Sequence, residues 1–126
     1  MLDASVKKRV LIVDDEEIIA DTLALILNRN GFESEAAYSG DKAVEKALVL
    51  RPHVLISDVV MQGMNGIEAA IRISESVPGC RIILFSGNAA TADMLEDAAA
   101  EGHHFELISK PVHPRVLLDH LVAYSS

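Results

Sequence analysis

The sequence predicts an α/β fold built on a parallel sheet. Short continuous apolar runs rich in Val, Ile, Leu and Phe recur along the chain, and amphipathic segments with helical spacing lie between them. The two patterns alternate from one end to the other, and runs with no polar alternation suit strands covered on both faces.

The first run is Val10–Val13, and Glu16–Arg29 follows it as a helix with Ile19, Leu23, Ile26 and Leu27 on one side. Gly31 can stop that helix, and the Asn30-Gly31 turn leads into a weaker strand, Glu33–Tyr38. Asp41–Leu50 presents Val44, Ala47 and Leu48 and is closed by Pro52. The strand Val54–Ile56 comes next, followed by the helix Gly66–Val77 with Ile67, Ala70, Ile71 and Ser74 inward, ended by Pro78-Gly79. The run Ile82–Phe85 precedes a helix at Thr91–Glu101, which presents Met94, Leu95 and Ala98 before Gly102. The last pair is the strand Phe105–Ile108 and the helix Pro114–Tyr124, where Pro114 fits the first turn and Leu117, Leu118 and Leu121 face inward. These are five strand–helix repeats, expected as one domain over 1–126 with its core at about 8–124.

Composition narrows the function classes. A net charge of −8 argues against nucleic-acid binding, which needs a basic face, and the basic run Lys7, Lys8 and Arg9 reads as a solvated edge. The lone cysteine, Cys80, excludes an internal disulfide framework and fits a reducing compartment. No apolar run is long enough for a membrane span and the N-terminal residues lack a signal-peptide pattern, so a cytoplasmic location is expected. The histidines His53, His103, His104, His113 and His120 match no metal-ligand spacing.

In open α/β sheets ligands bind beyond the carboxyl ends of the strands. There the chain places Asp14, Asp15 and Glu16 after the first strand, Ser57-Asp58 at the third, Ser86-Gly87 after the fourth and Ser109-Lys110-Pro111 after the fifth. Clustered carboxylates repel: at an effective dielectric near 20, each pair about 4 Å apart costs roughly 4 kcal/mol. Such a group must raise a pKa or hold a cation, and an oxygen-rich site with few direct carboxylates suits Mg²⁺. With Lys110 opposite, the rim can receive further negative charge, and a carboxylate can serve as nucleophile toward phosphorus. Singly these residues have plain alternatives. Asp14 or Asp15 could cap the first helix, Ser86 could be a turn residue and Lys110 a solvated strand end. Asp58 is harder to explain that way, because an acid at a buried sheet centre has no partner except a cation or Lys110.

Four segments, VLIVDDEE (10–17), SDVVMQGMNG (57–66), FSGNA (85–89) and ISKPV (108–112), resemble in order and interval the receiver domains of two-component response regulators. The resemblance covers almost the whole chain and implies a stand-alone receiver with a doubly wound sheet of flavodoxin-like order 2-1-3-4-5 and five helices. It implies that Asp58 is the phosphoacceptor and Asp15 a direct ligand of Mg²⁺ (or Mn²⁺). Asp14 would hold the metal through water, and the Val60 backbone carbonyl would complete the protein's ligands. Ser86 would be the switch hydroxyl, and Lys110 would pair with the acceptor and then the phosphate, often before a cis bond to Pro111. The implied partners are a sensor histidine kinase or histidine phosphotransfer protein as donor and a downstream protein target, with neither nucleic acid nor membrane bound directly.

Two positions depart from the family pattern. Gln62 stands where many receivers have proline, and Leu107 occupies a switch position that commonly holds Tyr or Phe. Phe105 is expected on the same face as Leu107. A change of the surface formed by the fourth helix, fifth strand and fifth helix is still expected on phosphorylation. Val60 cannot position an attacking water and Asn88 could do so weakly, so autodephosphorylation at an unremarkable or slow rate is expected. An aspartate-nucleophile phosphatase is disfavoured, since VLIVDDEE lacks its D-x-D-x-[TV] motif and no segment could form a substrate cap. Chemistry beyond self-directed phosphotransfer is therefore not expected. The remaining alternative is a degenerate receiver that acts only as an interaction module.

Overall fold

The computed structural model describes residues 7–87 and 91–125. In chain order the elements are β1 (Arg9–Val13), α1 (Glu17–Arg29), β2 (Glu33–Ala37), α2 (Gly40–Leu50), β3 (Val54–Asp58), α3 (Gly66–Ser76), β4 (Arg81–Ser86), α4 (Thr91–Ala100), β5 (Glu106–Ser109) and α5 (Pro114–Ser125). The sheet is parallel throughout, in the order β2-β1-β3-β4-β5. Every expected strand and helix is present, with ends shifted by a few residues, and the strand order is the expected one.

β1, β3 and β4 are the interior strands, and their continuous apolar runs are buried on both sides. Leu11, Val13, Leu55 and Leu84 face one layer, packed with α2, α3 and Ala98 of α4. Val10, Ile12, Ile56, Ile83 and Phe85 face the other, packed with α1 and with Leu117 and Leu121 of α5. Strand period and sheet position thus divide one apolar pattern into two cores.

The helix faces differ from the expectation in three places. In α1 the buried residues are Ala20, Leu23, Ala24 and Leu27, while Ile19 is exposed. In α2 they are Gly40, Ala43 and Ala47, and Leu48 is 55% exposed. In α3, Ala69 and Ile73 join Ile67 and Ala70, and Ile71 and Ser74 are only half-buried. The physical reason is common to all three. Small residues let a helix approach the sheet closely, so alanine wins the inward face over larger neighbours.

Arg9 also departs from its expected place at a solvated edge. Its guanidinium donates to the carbonyls of Leu50 (2.8 Å) and Arg51 (2.9 Å), tying β1 to the end of α2. Lys7 and Lys8 are exposed.

Candidate functional site

The carboxyl ends of β1, β3, β4 and β5 meet at one rim, and each delivers its polar residue there because the apolar run before it is buried. Asp14 follows β1, its N–H donates to Ala37 O, and its side chain is fully buried. Asp58 ends β3 at 4% exposure, and Ser86 ends β4 at 8%. Lys110 follows β5, held by its N–H to Ser86 O at 3.1 Å. The Lys110–Pro111 bond is cis.

Carboxylate oxygens of Asp14, Asp15 and Asp58 lie within 4.8 Å of one another. Lys110 Nζ is 2.9 Å from Asp58 Oδ2 and sits 5.5 Å from the centroid of the Phe85 ring, a cation–π arrangement that helps steer the ammonium inward. Burial alone would pull the Lys110 ammonium down, but the hydrogen bond and charge of Asp58, with Asp14 and Glu16 behind it, hold it above the usual lysine value.

Asp14 is the least settled member. Oδ1 accepts the Glu16 N–H at 2.9 Å, whereas Oδ2 is buried without a hydrogen-bond partner. Burial raises the Asp14 carboxyl above its ordinary value, and the nearby Asp58 charge adds to the rise. Neither Asp14 nor Asp15 is the N-cap of α1: that residue is Glu16, whose own side chain accepts no cap hydrogen bond. Asp15 is exposed, and its Oδ2 accepts the Gln62 N–H at 3.3 Å. An orphaned buried oxygen beside two further carboxylates fits a hard divalent cation held by oxygen.

The loop between β3 and α3 is set by two glycines. A Cβ on Gly66 would lie 1.9 Å from the Asp58 carbonyl oxygen, so only glycine lets α3 start so close to the end of β3. A Cβ on Gly40 would meet Met64 at 2.9 Å, which fixes the far side of the same loop against α2. In the sequence Gly66 was legible as the start of the third helix. The role of Gly40 was not legible at all, because it depends on a contact between α2 and the loop.

Val60 exposes 55% of its surface at the rim. Leu107 pairs in register with Leu84 and is 45% exposed, while the adjacent Ile108 packs on the opposite face. Phe105 precedes β5, packs toward the α2–α4 layer as alternation expects, and stacks on His103 with centroids 6.1 Å apart. Asn88, the candidate for positioning water, lies outside the described residues. Beside the rim, a cleft of about 450 Å³ runs between α1 and the segment after β5, with Ile19, Leu23, Phe85 and Val112 in its apolar lining and Asp14, Glu16 and Lys110 in its polar lining. Among the described residues no helix is long and apolar enough to cross a membrane.

Residues 10–122 match the family model described as the response regulator receiver domain. The chain is 36% identical over 115 residues to the chemotaxis protein CheY of Thermotoga maritima, an alignment covering 90% of this chain and 94% of that protein. It is 27% identical over 114 residues to the DNA-binding response regulator MtrA of Mycolicibacterium smegmatis, covering 90% of this chain and 49% of the relative. The chain thus spans about half the length of that relative. Among solved structures, a CheY-like receiver domain protein from Methanospirillum hungatei superposes with a TM-score of 0.84 at 28% identity, over 94% of each chain. The response regulator TrrA of Thermotoga maritima, solved in complex with Mg²⁺–BeF, superposes with a TM-score of 0.77 at 28% identity, over 92% of this chain and 97% of that one.

Proposed function

This chain belongs to the response regulator receiver domain family of two-component signalling, and from that premise we propose that Asp58 is its phosphoacceptor. The observation that carries the proposal is the pairing of buried Asp58 with Lys110 at 2.9 Å inside a cluster of three carboxylates. That arrangement holds a nucleophile and has a cation ready for the charge that arrives with phosphate.

The donor is a phosphohistidine of a sensor kinase or a histidine phosphotransfer protein, with the cleft beside the rim as its approach. A carboxylate oxygen of Asp58 attacks the phosphorus. The P–N bond breaks, its electron pair returns to the imidazole nitrogen, and an aspartyl phosphate results. Lys110 turns from the carboxylate to a phosphoryl oxygen, and the Ser86 hydroxyl donates to another. Asp15, Asp58 and the Val60 carbonyl would hold Mg²⁺ (or Mn²⁺), with Asp14 bonded through water; the ion would neutralise charge building on the phosphoryl oxygens. Beyond this transfer and its reversal by water, the chain carries no enzymatic activity of its own. Movement of Ser86 and Lys110 changes the α4–β5–α5 surface, which a downstream protein reads without direct contact to nucleic acid. Leu107 follows by repacking where an aromatic residue would swing. Loss of phosphate at an unremarkable or slow rate is expected, since the Val60 side chain positions no water.

The test is to incubate the protein with Mg²⁺ and acetyl phosphate and follow intact mass. One added phosphoryl group is expected, absent in Asp58→Ala and in the presence of a chelator. A wild-type protein that takes up no phosphate and gives no metal-dependent change in its amide spectrum would instead be an interaction module.

A further inference from the structure

Away from the phosphoacceptor rim, α3 and α4 enclose an open groove of about 300 Å³. Its floor is apolar: Ile67 and Ala98 are buried, and Ile71 and Met94 are half-buried. Its two walls are acidic, with Glu68 on α3 and Asp97 and Glu101 on or just beyond α4. All three acids are exposed, and none takes part in an ion pair among the described residues. Arg72, one turn beyond Glu68, makes no such pair either, and α4 contains no basic residue. An apolar floor between unneutralised carboxylates on both sides suits one kind of occupant. It favours an apolar side chain with cationic neighbours about one helical turn to either side.

We propose that the α3–α4 groove docks a basic amphipathic helix of a protein partner, its apolar ridge on Ile67, Ile71, Met94 and Ala98 and its Lys or Arg side chains on Glu68, Asp97 and Glu101. This surface is distinct from the chemistry at Asp58 and borders the α4–β5–α5 face along α4, using the side of α4 that turns toward α3. A partner bound there adds a second contact to whatever reads the phosphorylated state. The groove lies on the α2–α4 side of the sheet, while α5 lies on the other, so the two surfaces share α4 and nothing of α5.

The probe is a helical peptide of about 15 residues made of alanine and lysine with a leucine ridge at helical spacing. Titration into the ¹⁵N-labelled protein is expected to shift the amides of residues 65–71 and 94–101. Binding is expected to weaken by about tenfold or more in Glu68→Gln/Asp97→Asn/Glu101→Gln. A control variant of equal charge change, Glu33→Gln/Glu35→Gln/Asp119→Asn, alters exposed acids remote from the groove and is expected to weaken binding less than about threefold, the share owed to long-range attraction. A peptide with serine replacing each leucine is expected to lose the localised shifts. Equal losses in both variants, undiminished binding of the serine peptide, shifts elsewhere, or no binding at all would each overturn the proposal.

Discussion

At Asp14 one carboxylate oxygen is satisfied by the Glu16 N–H and the other is buried with no partner. A fully buried acid beside Asp58 and Asp15 is a cost to the metal-free fold, which a cation would remove. Asp14→Asn should therefore raise metal-free stability by about 1–2 kcal/mol in urea denaturation. If Mg²⁺ binds as proposed, millimolar Mg²⁺ should raise the wild-type melting temperature, and the same change should reduce that rise. His53 illustrates a residue whose role the sequence hid. Its Nδ1 accepts the Arg9 N–H at 2.9 Å, and burial, with the charges of Arg9 and Lys8, holds its pKa below the usual histidine value. The unfolded chain then binds more protons than the folded one between the lowered folded value and about 6.5, so stability rises with pH across that window. It is fully present above the unfolded value and is lost as pH falls through the folded one. Urea midpoints measured from neutral to mildly acidic pH should show this loss, and His53→Asn, which can keep an acceptor without titrating, should flatten that part of the profile.

Among the elements, β2 is an edge strand whose outward groups are occupied by side chains. Asn28 bonds both the N–H and the carbonyl of Ser34, and Lys46 donates to Ala36 O at 2.6 Å. Such cover blocks pairing with a further strand and explains how a short, polar segment of weak strand character holds its place. The end of α2 carries a different constraint. Arg51 has φ 48 and ψ 67, a left-handed conformation that costs a non-glycine residue roughly 1 kcal/mol. Arg51→Gly should therefore stabilise the protein by about 0.5–1 kcal/mol, read as a higher urea midpoint with an unchanged slope. The guanidinium of Arg9 holds the carbonyls of Leu50 and Arg51 in this turn, an anchoring role that a basic run near the chain start did not announce.

Across the whole molecule, chemistry and anchoring occupy opposite ends of the sheet. The carboxyl ends of the strands carry Asp14, Asp58, Ser86 and Lys110. At the other end Arg81, on β4, makes a two-pronged pair with Glu106 of β5 at 2.6 and 2.8 Å and donates to His120 O on α5. Removing one partner leaves the other charge partly buried, so Arg81→Ala should cost about 2 kcal/mol or more of stability. Phosphoryl uptake at Asp58, measured by intact mass below the melting temperature, should survive that change. Loss of uptake in a folded Arg81→Ala protein would mean that the two ends are coupled rather than separate.

By itself the sequence determined the element order and the residues gathered at the rim. Continuous apolar runs have to be buried on both faces, and in a parallel sheet the polar residues that follow them come to the same end. Asp14, Asp15, Asp58, Ser86 and Lys110 were legible for that reason. The inward helix faces were legible only in part, because hydrophobicity does not say where a small residue allows close approach, as Ala20 and Ala43 do. Tertiary structure alone decided the contacts between residues far apart in the chain. These include the orphaned oxygen of Asp14, the seat of Met64 against Gly40, the tie of Arg9 to α2 and the acidic groove between α3 and α4. Each depends on the distance between two packed elements, a quantity that no local pattern encodes.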